Sequence, residues 1–293
     1  MMRIEITDVF LRDGLQDEPV IVSTADKVKI ARATMDAGVE RMEIASFVNP
    51  KRVPQMADAS DVLSALSMES RVRFTVLALN GQGIARAAAA GAREVQVVAS
   101  ASQAHSNANA GAGIEKSLAS LAGDVAAHPE TGFHAGISTA FTCPYEGEID
   151  PSRLLQLVRA FKSMGITDIG LADTLGTTPP QRLIDSVKHI QDAEPDLAYS
   201  LHLHNAHGLA LDTVKLAIDA GITRFDAALG GYGGCPFAPG AAGNLSTEEL
   251  VDFLHAEGHI TGIDPSGLAK ATDLARATIS NAPPVQTDSL SIH

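Results

Sequence analysis

The sequence predicts an α/β protein: a closed (β/α)8 TIM barrel with an extra C-terminal helical segment. Three observations carry this. A helical stretch closed by glycine and followed at once by a β-rich run occurs four times, at Gly38, Gly91, Gly165 and Gly221. Strand and helix patterns alternate strictly, which means a parallel sheet. The alternation runs to eight units, and a chain of 293 residues suits a closed barrel of about 250 residues with an appendage. Glycine after a helix accepts the left-handed conformation that ends it cheaply, so each copy is a helix stop and a strand start.

Taken in order, the strands are expected at 3–9, 40–46, 72–78, 94–99, 133–140, 167–171, 198–203 and 223–228. The helices between them are expected at about 24–37, 56–68, 80–90, 113–127, 151–164, 179–193, 207–220 and 246–257. Thr24, Ser246 and Thr247 suit N-caps, and Pro179-Pro180 suits a first helical turn. A further helix is expected at about 266–281, before a polar tail. No linker divides the chain. Residues 1–293 are therefore read as one catalytic domain, with roughly 258–293 as the C-terminal extension. An open doubly wound sheet is the alternative, but no GxGxxG follows the first strand.

Composition narrows the function. The formal net charge of −13 argues against a nucleic-acid binder. Two cysteines, Cys143 and Cys235, make neither a disulfide framework nor a CxxC zinc site, and a reducing cytoplasm is expected. No apolar run reaches the ~18 residues of a membrane span. The first strand begins too early to leave room for a signal peptide.

A barrel does its chemistry at the C-terminal ends of its strands, and those ends are polar here. Strand 1 runs into Arg12-Asp13-Gly14, strand 2 holds Glu43 and leads to Ser46 and Asn49, and strand 6 ends at Asp173-Thr174. On strand 7, His202 and His204 are two apart and so share a face. With Asp13 on the same rim, both imidazoles can reach one ion; oxygen and imidazole donors without thiolate suit Mg²⁺ or Mn²⁺, with Zn²⁺ as runner-up. The alternative is a pair of core or surface histidines. The glycine-rich stretch 230–244 carries Cys235 at its centre. It reads either as a surface turn or as a mobile lid bearing an acid/base or nucleophilic thiol. Cys143 reads as a small buried residue. Arg12 is either half of a structural ion pair or a fork for a carboxylate or enolate oxygen.

Arg12-Asp13-Gly14-Leu15-Gln16, Ser46-Phe47-Val48, Val53-Pro54-Gln55-Met56-Ala57-Asp58, Cys143-Pro144-Tyr145-Glu146-Gly147, the HxH pair and the Gly-Gly-Cys-Pro loop ending at Gly243-Asn244 together resemble the 3-hydroxy-3-methylglutaryl-CoA lyases of the DRE-TIM metallolyase superfamily. The resemblance runs from the first strand to about residue 260. It implies a retro-Claisen cleavage of a 3-hydroxyacyl-CoA to acetyl-CoA and a keto acid. It implies a divalent ion on Asp13, His202, His204 and Asn244. It assigns catalytic parts to Arg12 (enolate stabilisation), Cys235 (proton transfer), His202, Glu43 and Asp173. The implied partner is an acyl-CoA, with no nucleic acid and no membrane, and a homodimer is compatible. A lyase for citramalyl-CoA or another 3-hydroxyacyl-CoA, or a superfamily Claisen synthase, aldolase or carboxyltransferase, is the alternative. The chain departs from the family pattern at Pro19, at Asn205 after the HxH, in the segment Ser102–Asn107 and at Tyr232.

Overall fold

The structure is a computed structural model that describes residues 1–234 and 243–285. Eight parallel strands close into a barrel: β1 (Glu5–Asp8), β2 (Arg41–Ser46), β3 (Arg73–Ala78), β4 (Glu94–Ser100), β5 (Gly132–Ser138), β8 (Asp168–Asp173), β9 (Ala198–Leu203) and β10 (Arg224–Ala227). A two-stranded hairpin, β6 (Thr142–Cys143) with β7 (Gly147–Glu148), follows β5. The barrel closes where β1 meets β10, with Glu5 opposite Arg224 and Thr7 opposite Asp226. The closed order excludes the open sheet.

The helices that follow the strands are α1 (Thr24–Asp36), α2 (Ala59–Leu66), α3 (Gly81–Ala89), α5 (Ile114–Ala126), α6 (Pro151–Ser163), α7 (Pro180–Ala193), α8 (Ala210–Asp219) and α9 (Thr247–Ala256). All four glycine stops sit at positive φ, between 82° and 98°. The cap of α1 is Ser23, one residue before the expected Thr24; its side chain accepts the Asp26 backbone N–H. Ser246 caps α9 as expected, accepting from Glu249 N. One helix was not expected. α4 (Gln103–Ala110) lies over the end of β4, capped by Ser102, which accepts from His105 N.

Strand residues that face outward, such as Val95, Val97, Ile137, Ile169, Leu171 and Leu201, are fully buried against helix residues such as Leu154, Val158, Leu183, Val187 and Val214. Burying such side chains contributes ~1.5–3 kcal/mol each, and this annulus is the main hydrophobic core. The barrel axis is different. Arg41, Glu43, Thr75, Gln96, His134, Ser200, Arg224 and Asp226 surround an internal space of only about 20 Å³, so the interior is polar where barrels usually place branched aliphatic layers. Glu5 Oε1 lies 3.1 Å from both Arg41 Nη1 and Arg224 Nε, and Arg224 Nη2 donates to Asp168 Oδ2 at 2.8 Å.

The C-terminal helix α10 (Pro265–Asn281) packs along α1. Asp264 N donates to Ala37 O, Ile21 N to Pro283 O and Val285 N to Pro19 O. Pro19 thus offers its only backbone group, a carbonyl, to the end of the extension.

Candidate metal site

Beyond β1 the chain enters one turn of π-helix, Phe10–Gly14, with Asp13 N and Gly14 N both donating to Val9 O. The wider turn buries the consecutive Arg12 and Asp13 together. Asp8 anchors its start. Its carboxylate accepts from Phe10 N, Leu229 N and Thr247 Oγ1, which ties β1 to the chain that follows β10.

Arg12 is clamped between two carboxylates. Its Nε donates to Glu43 Oε2 at 2.6 Å, its Nη2 lies 2.6 Å from the same oxygen, and Nη1 donates to Asp13 Oδ1. Burial works against the guanidinium's charge, but Asp13 and Glu43 outweigh it and hold Arg12 firmly protonated. Burial likewise works against Asp13, but Arg12, both histidines and Asn244 hold its carboxyl below the usual range. For Glu43 burial wins over Arg12, pushing the carboxyl up to about 7.

Asp13, His202 and His204 each offer one ligand atom, all within 4.8 Å of one another. The Nε2 atoms of the two imidazoles are 3.2 Å apart, and His202 Nε2 is 3.9 Å from Asp13 Oδ2. Asn244 is bridged to His204 and donates its Nδ2 to Asp13 Oδ2 (2.7 Å) and to Tyr232 O (2.8 Å). Its amide oxygen is buried without a partner, as is Glu43 Oε1. Gly233 makes this approach possible. It holds φ +108°, and a Cβ there would stand 2.4 Å from Asn244 Nδ2 and 3.0 Å from Asp13 Oδ2.

A cation fits these residues. Asp13 and two imidazole nitrogens converge to an N/O donor set, and Asn244, bonded to Asp13 through Nδ2, keeps a buried amide oxygen without a partner. A buried acceptor without a donor costs about 1–3 kcal/mol, and coordination removes that cost.

Asp173, Cys143 and Asn205 have side-chain partners of their own. Asp173 is buried at the end of β8, but its carboxylate accepts from Thr178 Oγ1 at 2.8 Å and from Thr178 N. Its carbonyl accepts the His204 N–H at 3.4 Å. Cys143 is buried, as expected for a small packing residue; its Sγ donates to Ser102 Oγ at 2.9 Å and accepts from Tyr145 N. Cys235 lies outside the described residues, and with it the centre of the glycine-rich loop. Asn205 Oδ1 accepts from Ala210 N at the start of α8, and the Tyr232 ring packs edge-on against Phe10 at 5.6 Å. A separate pocket of about 410 Å³, bordered by Ser46, Phe47, Met56 and Arg86, opens beside the end of β2 and contains none of the converging ligand atoms.

One residue of the site was missed in the sequence. Asp226 Oδ2 lies 3.3 Å from His202 Nδ1. The available signal was the period-2 alternation of Arg224 and Asp226 on the last strand, which puts both on the inner face. Burial works against charge on His202, but Asp226 and Asp13 raise its pKa.

The HMGL-like family model matches residues 3–275. The chain belongs to the HMGL-like family. It is 38% identical over 296 residues to (R)-citramalyl-CoA lyase of Chloroflexus aurantiacus, covering 97% of this chain and 93% of that protein. It is 37% identical to the mitochondrial hydroxymethylglutaryl-CoA lyase of Mus musculus, covering 92% and 84%. Among solved structures, an HMG-CoA lyase from Acinetobacter baumannii, in complex with coenzyme A and 3-methylmalate, superposes with TM-score 0.91 at 36% identity, covering 99% of this chain and 97% of that one. The carboxyl transferase domain of Rhizobium etli pyruvate carboxylase matches with TM-score 0.69 at 18% identity, a likeness of fold alone. HMGL-like relatives of both kinds are carbon–carbon lyases by name.

Proposed function

We propose that the protein is a divalent-metal-dependent acyl-CoA lyase. It cleaves a 3-hydroxy-3-methylglutaryl-CoA-like thioester to acetyl-CoA and a keto acid, acetoacetate for HMG-CoA itself. The convergence of Asp13, His202 and His204 beside a clamped Arg12 carries this reading, and the lyases among its relatives support it.

In a retro-Claisen step the tertiary hydroxyl loses its proton, the adjacent C–C bond breaks, a ketone forms, and the electron pair passes into the thioester enolate. A divalent ion, Mg²⁺ or Mn²⁺, held by Asp13, His202, His204 and Asn244, would supply Lewis-acid stabilisation of the developing alkoxide. Arg12 keeps its charge throughout and offers N–H donors to the enolate oxygen as charge develops there. Glu43 holds the guanidinium plane in place. Its unpartnered Oε1 gives the site a carboxyl able to exchange a proton near neutrality. Asp173 fixes the Thr178 turn and, through its carbonyl, the backbone of His204. Cys235 is assigned delivery of a proton to the enolate carbon on the sequence alone.

The test is incubation of the purified protein with Mg²⁺ or Mn²⁺ and HMG-CoA, citramalyl-CoA and other 3-hydroxyacyl-CoA thioesters, with products read by mass spectrometry. Metal-dependent release of acetyl-CoA and acetoacetate from HMG-CoA is expected. Release from citramalyl-CoA alone would move the acyl specificity, and no cleavage of any thioester would overturn the reading. Cys235→Ser should abolish most turnover while acyl-CoA binding survives, and Cys143→Ser should be mild; the reverse pattern would put proton transfer on the wrong thiol.

A further inference from the structure

Asp226 belongs to no motif of the sequence and is not among the converging ligand atoms. Its position is nonetheless tightly set. β10 pairs with β9 so that Asp226 stands opposite His202, and with β1 so that it stands opposite Thr7. Its carboxylate approaches the imidazole from the side away from the ligand cluster. Oδ2 is 3.3 Å from Nδ1, whereas Nε2 faces His204 Nε2 at 3.2 Å. Both side chains are largely buried, with 14% of His202 and 18% of Asp226 exposed. Arg224, two residues earlier on the same strand face, is committed to Glu5 and Asp168.

We propose that Asp226 is a positioning residue that fixes the tautomer and ring orientation of His202, and that the affinity of the rim for a divalent ion depends on it. The chemistry follows from the inventory of donors. An ionised carboxylate only accepts, so the shared hydrogen must sit on Nδ1. The Nε2 lone pair is then left bare and directed at Asp13 and His204. Without Asp226 the imidazole is free to place its hydrogen on Nε2 or to rotate about χ2. Either change removes a ligand atom, and restoring it draws on the binding free energy. Partners of this kind are typically worth ~10–100-fold in metal affinity. The inference rests on the metal reading of the rim given above.

The experiment uses the full chain, stripped of metal, with Mn²⁺ alone as the probe and its binding followed by electron paramagnetic resonance at fixed pH. The unaltered protein is expected to take up Mn²⁺, and His204→Ala to lose that uptake. Asp226→Ala should bind ~10–100-fold more weakly. Asp226→Asn should fall between, because its amide oxygen still accepts from Nδ1–H but carries no charge. Long-range ¹H–¹⁵N spectra of the metal-free protein should show His202 as the Nδ1–H tautomer, and Asp226→Ala should move it toward Nε2–H. A merely structural aspartate would not shift that tautomer. If the unaltered protein takes up no Mn²⁺, the metal reading fails and the affinity claim falls with it. If it binds Mn²⁺ and both Asp226 variants bind equally well, or His202 is already the Nε2–H tautomer, the metal reading stands and Asp226 has no such part. Should Asp226→Ala fail to fold, Asp226→Asn decides by the same two measurements.

Discussion

Two charged layers share the barrel axis, and they are assembled differently. In the lower one Glu5 and Asp168 meet Arg41 and Arg224, two carboxylates against two guanidinium groups, each within hydrogen-bonding distance of a partner. At the rim Asp13 and Glu43 share a single Arg12, two imidazole nitrogens face each other, and the acceptors Asn244 Oδ1 and Glu43 Oε1 are buried without donors. Charge in the middle of a barrel therefore does not mark a site. Ligand atoms gathered within 4.8 Å of one another do.

The largest effect that sharpens this contrast is expected at the rim. His204→Ala removes a ligand atom and should cut turnover by orders of magnitude while the melting temperature measured without metal changes little. A large loss of stability with activity per folded molecule retained would put His204 in the structural layer instead. On the proposed mechanism, Arg12→Gln should lower kcat by roughly 10²–10³-fold with a much smaller rise in KM, since the guanidinium would act on charge that appears in the transition state. Arg12→Lys should rescue poorly because a point charge cannot reproduce the fork; steady-state kinetics of the two variants separate these outcomes.

The lower layer should show the opposite signature. Arg224→Met takes the guanidinium from Asp168 and leaves Glu5 with Arg41 alone. It should cost about 1–3 kcal/mol by urea unfolding, less than for a fully buried pair because these side chains are partly exposed. The kcat of the folded fraction should stay near normal. A collapse of kcat without a loss of stability would show that the two layers are coupled.

The smallest effect is confined to acid. Burial pushes the His134 imidazole down to about 4, below its ordinary value of about 6.5. The unfolded chain therefore binds this proton more readily than the folded one. His134 contributes stability that is complete above about pH 6.5 and is lost as the pH falls toward 4. His134→Gln should flatten the decline in melting temperature over that window and leave its change with pH above 7 unaltered. An unchanged acid limb would mean that His134 is accessible to protons in the fold.

These tests fall on residues that were not equally visible in the sequence. The eight strand-and-helix units were legible because each helix has an apolar face and four of them stop at a glycine whose φ is positive in the structure. Asp13, His202 and His204 were legible because a period of two and a strand end place them on one rim. α4 was not, because its sequence Gln103–Ala110 is polar and carries no apolar stripe; Ser102 and the packing on β4 and α5 make it a helix. Asp226 was hidden for a related reason. Alternating polar residues on a strand ordinarily mean a solvated face, and in this barrel they mean a polar axis. The π-helical turn was invisible because nothing local in Phe10–Gly14 distinguishes five residues per hydrogen-bonded loop from four.

That turn makes chain length part of the chemistry. Successive residues of a helical turn point ~100° apart, so deleting Phe10 or Leu11 would swing Arg12 or Asp13 out of the barrel mouth without removing a single functional side chain. A frame-preserving codon deletion in this stretch is expected to silence the protein. For anyone recombining or redesigning such barrels, the junction after the first strand is a place where segments must be exchanged whole, with their residue count intact.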